Sequence, residues 1–137
     1  MEHALSTELR YLLYTAFLMV VLWIPYILAE LNLTGIVKAL GYPDERTLPA
    51  WAERLKKAHY NLVENIGPFA IAVLAGEWLG VHTSVTAGCA MVFFWARVAH
   101  PIAQVVRIWG SRTVTFAASI TAMALYLYEI LSQAAGA

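Results

Sequence analysis

The chain alternates four long apolar runs with short polar breaks. The first run covers residues 9–31 and carries no charge between Arg10 and Glu30. About 20 apolar residues rising about 1.5 Å each cross a hydrocarbon layer of about 30 Å, so this run predicts a membrane-spanning helix. It is too long and too aromatic for a signal-peptide core, and no small-x-small cleavage site follows it. Pro25 inside it predicts a kink. The same reasoning predicts spans over residues 57–79, 85–109 and 113–131.

Between the first two spans lies the longest non-apolar stretch, residues 32–53, with Gly35, Gly41, Pro43, Asp44 and Pro49. Turn chemistry places a turn over residues 41–44 and a helix start near Pro49, and residues 33–40 read as a short interfacial helix. Gly80 and Gly110 open the two later turns, and the tail from Ser132 onward is expected to fray. Four spans with short connections predict an all-α integral membrane four-helix bundle, with residues 1–137 forming one domain.

Composition strengthens that reading. The chain is 61% hydrophobic and 13% charged, against about a quarter charged in a soluble domain. A net charge of zero leaves no basic field to attract nucleic acid. Cys89 is the single cysteine, which excludes an internal disulfide; with no cation or base within a turn of it, it reads as a small packed residue. Lys38, Arg46, Arg54, Lys56 and Lys57 fall in or beside the first loop, Arg107 and Arg112 in the third, and none in the second. This asymmetry predicts loops one and three on the cytoplasmic side and both termini outside. Most of the five tryptophans fall near predicted span ends, as in an aromatic belt.

Polar residues then enter the second and third spans in a regular pattern. Arg54, Lys57, Asn61, Glu64 and Pro68 are spaced 3-4-3-4, and Arg97, His100, Gln104 and Arg107 are spaced 3-4-3. Each set shares one helix face, and an average step of about 3.5 is that of a left-handed packed pair. Packed antiparallel, the two spans would oppose their stripes. Glu64 and Arg97 would then meet at similar depth, as a buried pair in which neither group is stranded. That pair alone reads equally well as a structural clamp. The gathering of Lys57, Asn61, His100, Gln104, Arg107 and Arg112 near one end points instead to a cleft for a ligand with carboxylates or phosphates. His59 reads as a packing or interface residue, Tyr60 as an interface aromatic, and His3 and His82 as solvated ends. His59, Glu64 and His100 are the residues that could meet around a metal. No helix face supplies a His-x-x-x-His or Glu-x-x-His pair, so no metal is expected. No Gly-rich phosphate loop or Ser-His-Asp pattern is present.

The run Lys57-Ala-His-Tyr-Asn61-Leu-Val-Glu64-Asn-Ile-Gly-Pro68-Phe69, with Arg97-Val-Ala-His100 after it, resembles the signature of the membrane-associated proteins in eicosanoid and glutathione metabolism. The resemblance extends over all four spans and includes short bacterial members, which implies a multi-pass bacterial inner-membrane protein. It implies a homotrimer with sites between neighbouring subunits, and glutathione as co-substrate. By position it assigns Lys57, Asn61, Glu64, Arg97 and His100 to glutathione binding, with Gln104 and Arg107 on the same stripe. It assigns Arg112 to stabilising the thiolate, which would attack a small lipophilic electrophile drawn from membrane lipid. Gln104 and Phe116 stand where tyrosines are usual, which argues against a true eicosanoid synthase. Three functions remain open at this point: a glutathione-dependent transferase or peroxidase; a non-enzymatic membrane protein of the same fold that binds ligands or supports assembly; and, behind these, a small transporter or channel subunit.

Overall fold

The computed structural model describes residues 5–41 and 48–136. Among the described residues five helices follow one another: α1 (Thr7–Thr34), α2 (Ile36–Leu40), α3 (Ala50–Leu79), α4 (Ser84–Val106) and α5 (Ser111–Ala135). All but α2 are long and apolar enough to cross a membrane.

Local chemistry sets the helix ends. Ser6 caps α1, its hydroxyl accepting from the Leu9 N–H at 3.0 Å. Thr83 and Thr86 cap α4 reciprocally, each side-chain oxygen accepting from the other's backbone N–H. Gly80, with φ 67°, closes α3 in the left-handed conformation that glycine adopts without strain. Helix α3 starts directly after Pro49, as its sequence position predicts, and so begins seven residues before the apolar span. Helix α4 stops at Val106 rather than Trp109, because Arg107 turns left-handed at φ 64°. Helix α5 continues to Ala135, past the expected fraying point at Ser132. The turn predicted over residues 41–44 runs into residues 42–47, which lie outside the described residues.

Short connections make α3, α4 and α5 successive antiparallel neighbours, and α1 packs against α3 and α4. The start of α1 meets the end of α3 through a Ser6–Glu77 hydrogen bond. The far part of α1 meets the start of α3, where the Tyr26 hydroxyl and His59 Nδ1 are 2.8 Å apart. His59 therefore takes the packing role its place beside the stripe suggested. The core is built from Leu12, Phe69, Ala72, Val73, Phe93, Ala122, Tyr126 and Ile130. Phe69 and Phe93 stack at 3.9 Å between ring centroids, and Tyr126 meets Phe69 edge-on.

The outer surface is apolar as well. Phe17, Ile71, Trp78 and Leu131 are each at least two-thirds exposed. Apolar residues on both the inner and outer faces of the long helices suit a bundle surrounded by acyl chains. Gly76 is the described glycine with the least room for a side chain: a Cβ there would lie 3.0 Å from Ile130 Cδ1 and 3.2 Å from the Tyr126 hydroxyl. Gly76→Val is therefore expected to destabilise the bundle by about 1–3 kcal/mol through overpacking, read as a lower melting temperature in detergent.

Candidate functional site

The polar stripes of α3 and α4 do face each other, but not through the expected pair. Arg97 is 1% exposed, and its Nη1 donates to Asn61 Oδ1 at 2.6 Å. Glu64 makes no ion pair with Arg97 and is exposed on its own chain. The reason is angular. The buried face of α3 runs through Leu55, Ala58, Leu62, Phe69, Ala72 and Gly76. At about 100° per residue, Asn61 lies about 70° from the centre of that face and Glu64 about 130° from it. A 3-4 spacing keeps residues on one side of a helix, yet it spreads them widely enough that only Asn61 reaches α4.

The Arg97 guanidinium is held between two rings, 5.1 Å from the Phe93 centroid and 5.7 Å from that of Phe116. Its Nε and Nη2 have no hydrogen-bond partner among the described residues. A buried cation with unmet donors is costly, and the cost falls when an acceptor arrives.

Above Arg97, an open cleft of about 360 Å³ is lined by Lys57, Asn61, His100, Gln104, Arg112, Thr113 and Phe116. A second hollow of about 280 Å³ continues from it, sharing Gln104, Arg112 and Thr113 and adding Arg54 and Arg107. Four cations thus surround one continuous depression at the end of the bundle where α3 and α5 begin and α4 ends. Among these residues there is no carboxylate.

His100 forms part of the wall and is buried. Its Nδ1 lies 3.0 Å from Thr115 Oγ1. The Thr115 hydroxyl hydrogen has the Ser111 and Arg112 carbonyls within 3.0 Å, so its oxygen is free to accept from His100 Nδ1–H. His100 Nε2 is then the acceptor for the Gln104 amide at 3.3 Å. The chain Gln104–His100–Thr115 fixes the imidazole against the base of α5.

The structure thus gathers Lys57, Asn61, His100, Gln104, Arg107 and Arg112 around one depression, puts Arg97 beneath it, and leaves Glu64 outside. His59, Glu64 and His100 form no metal-holding cluster among the described residues. Sequence reasoning left three participants without a role at this wall: Arg54, Thr113 and Thr115. Arg54 opens the α3 stripe, and Thr115 sits one turn after Arg112, so helical spacing from residues already chosen was the available signal. Phe116 was read only as a missing hydroxyl, whereas its ring covers the buried guanidinium.

The fold and the cleft define a polytopic membrane protein with a cationic pocket opening at one end of its bundle. Against known protein families, residues 11–132 match the MAPEG family, and the chain belongs to it. It is thus a membrane protein related to glutathione and eicosanoid metabolism. No individual curated protein matches the chain.

Proposed function

We propose that this protein is a glutathione-dependent transferase or peroxidase acting on lipophilic electrophiles. The observation that carries the reading is the cluster of Arg54, Lys57, Arg107 and Arg112 around one cleft, over a buried Arg97 with two nitrogens that find no acceptor among the described residues. Glutathione offers two carboxylates and a thiol, and such a donor set fits it. The carboxylates are bound by the cationic rim, with acceptor oxygens drawn toward Lys57 and the Arg97 donors. Arg112 stands beside the thiol and favours the thiolate, the nucleophilic form. His100, oriented by Thr115 and Gln104, lines the same cleft. The apolar outer surface delivers the electrophile from the bilayer, and the cleft holds the two together away from bulk water.

Glu64 has a place in this reading only if a neighbouring subunit completes the site. It stands seven residues, about 10 Å, inside the apolar span that begins at Lys57, counting about 1.5 Å per residue. A carboxylate at that depth is costly against acyl chains and acceptable against protein or ligand. A homotrimer with shared sites supplies such a surface, and native mass spectrometry of the detergent-solubilised protein tests it. Loops one and three, with the cleft, then face the cytoplasm on the charge asymmetry of the loops.

Phe116 favours the second reading, a non-enzymatic binding or assembly protein, because a phenylalanine supplies no hydroxyl to a bound thiol. Turnover of glutathione with a chromogenic aryl halide separates the two. Conjugate formed above the uncatalysed rate supports the transferase; a folded protein that binds glutathione and forms none supports the other. In the active protein, Thr115→Val removes the acceptor that orients His100. It is expected to raise the KM for glutathione by about 2–10-fold with little change in kcat, the worth of one hydrogen bond.

A further inference from the structure

At the opposite end of the bundle a second polar cluster has no part in the cleft. Lys57 and Glu77 are twenty residues apart on α3, about 30 Å along the helix. There, Glu8 from the first turn of α1, Glu77 from the last turn of α3 and His82 from the α3–α4 turn each offer a ligand atom, all within 4.8 Å of one another.

The arrangement of oxygens is specific. Glu8 is 3% exposed, and its Oε1 accepts from the Thr86 hydroxyl at 2.5 Å. Its other oxygen lies 3.7 Å from His82 Nδ1. Glu77 repeats the pattern: Oε1 accepts from the Ser6 hydroxyl, and Oε2 lies 3.8 Å from His82 Nε2. Each carboxylate is thus held through one oxygen by a helix-capping hydroxyl and has its second oxygen free beside the imidazole. The gaps of 3.7 and 3.8 Å are too long for hydrogen bonds. They run to different ring nitrogens, only one of which can hold a given ion. With one ligand atom from each residue the three lie within 4.8 Å of one another, and a small rotation of the exposed His82 brings them to the separation of about 3.4 Å between ligands of a tetrahedral zinc ion.

The charge balance points the same way. No Lys or Arg among the described residues pairs with either carboxylate, and the Tyr126 hydroxyl, held against Gly76, lies within electrostatic reach of both, so only His82 is at hand to offset their charge.

We propose that Glu8, Glu77 and His82 bind a divalent transition-metal ion of the zinc type, one per chain. A set of one imidazole and two carboxylates favours zinc over magnesium or calcium, which prefer all-oxygen surroundings. The Thr86 and Ser6 hydroxyls are the outer hydrogen bonds that orient the ligands. His82 is partly exposed, so the fourth position opens to water. The ion ties the start of α1 to the end of α3 and the start of α4, and so closes this end of the bundle.

The test uses the full chain in detergent, free of affinity-tag histidines and stripped with a chelator, titrated calorimetrically with zinc chloride. The expected result is one zinc per chain, with at least tenfold weaker binding in His82→Gln and no comparable binding of magnesium. Zinc is also expected to raise the melting temperature of the wild type and to leave that of His82→Gln unchanged. His82 lies in a turn and is not a core residue, so this variant is expected to fold. No zinc uptake, or equal uptake in both proteins, overturns the proposal. So does a melting temperature that follows pH through His82 and ignores zinc, which would mark an ion pair of protonated His82 with the carboxylates.

Discussion

Arg112→Ala is expected to abolish the near-ultraviolet thiolate absorbance that appears when glutathione is added to the wild-type protein. An opposite charge close to an ionisable group shifts its equilibrium by about 1–3 pH units, so losing the guanidinium lowers the thiolate fraction at neutral pH by about 10- to 1000-fold. Arg112 is exposed and lines both parts of the depression, so its removal leaves the packing of α4 on α5 intact. Its stability, read from thermal melts, should therefore stay within about 0.5 kcal/mol of the wild type, as for surface changes generally. Arg112→Lys keeps the charge without the fork, and partial recovery of absorbance is expected. Full thiolate signal in the alanine variant would assign the role to another cation of the rim.

The second large effect concerns Asn61. Asn61→Leu is expected to destabilise the bundle by about 2–3 kcal/mol, because it removes the one hydrogen-bond acceptor that a buried guanidinium has among the described residues. The loss comes from stranding Arg97 and not from any void, since leucine is at least as large. The double variant Asn61→Leu/Arg97→Met is expected to recover most of that stability, since it removes both members together. Glutathione binding stays lost in both. Thermal melts of the wild type, the two single variants and the double variant give the coupling between the residues. A single variant as stable as the wild type would show that the Asn61–Arg97 contact carries little energy.

Much of this fold was legible in the apolar runs alone. A spanning helix announces itself by length, and the four long helices begin and end within a few residues of the predicted spans, apart from the polar first turns of α3. Those turns were signalled by Pro49, because proline and capping residues act locally. The antiparallel facing of the two polar stripes was legible too, since 3-4 spacing is a property of one helix. Which stripe member reaches the partner was not. Glu64 and Asn61 share a spacing pattern yet differ by about 60° around α3, and only packing decides between them. Charge type misled as well: an arginine and a carboxylate are the obvious partners, but the bond is made by a neutral amide.

The cluster at the other end shows the same limit from a different side. His82 reads as a solvated end because its sequence neighbours are a turn and a helix cap. Its companions Glu8 and Glu77 come from α1 and α3, and no spacing within one segment links them. Sites assembled across three elements leave little trace in local periodicity.

The most direct measurement for the cationic cleft is a pair of calorimetric titrations of the detergent-solubilised protein, one with glutathione and one with its diethyl ester. The ester keeps the thiol and the peptide but removes both negative carboxylates. Binding of glutathione with at least tenfold weaker binding of the ester is the expected result. Equal binding of the two, or no binding of glutathione by the folded protein, would contradict a cleft built around carboxylate recognition.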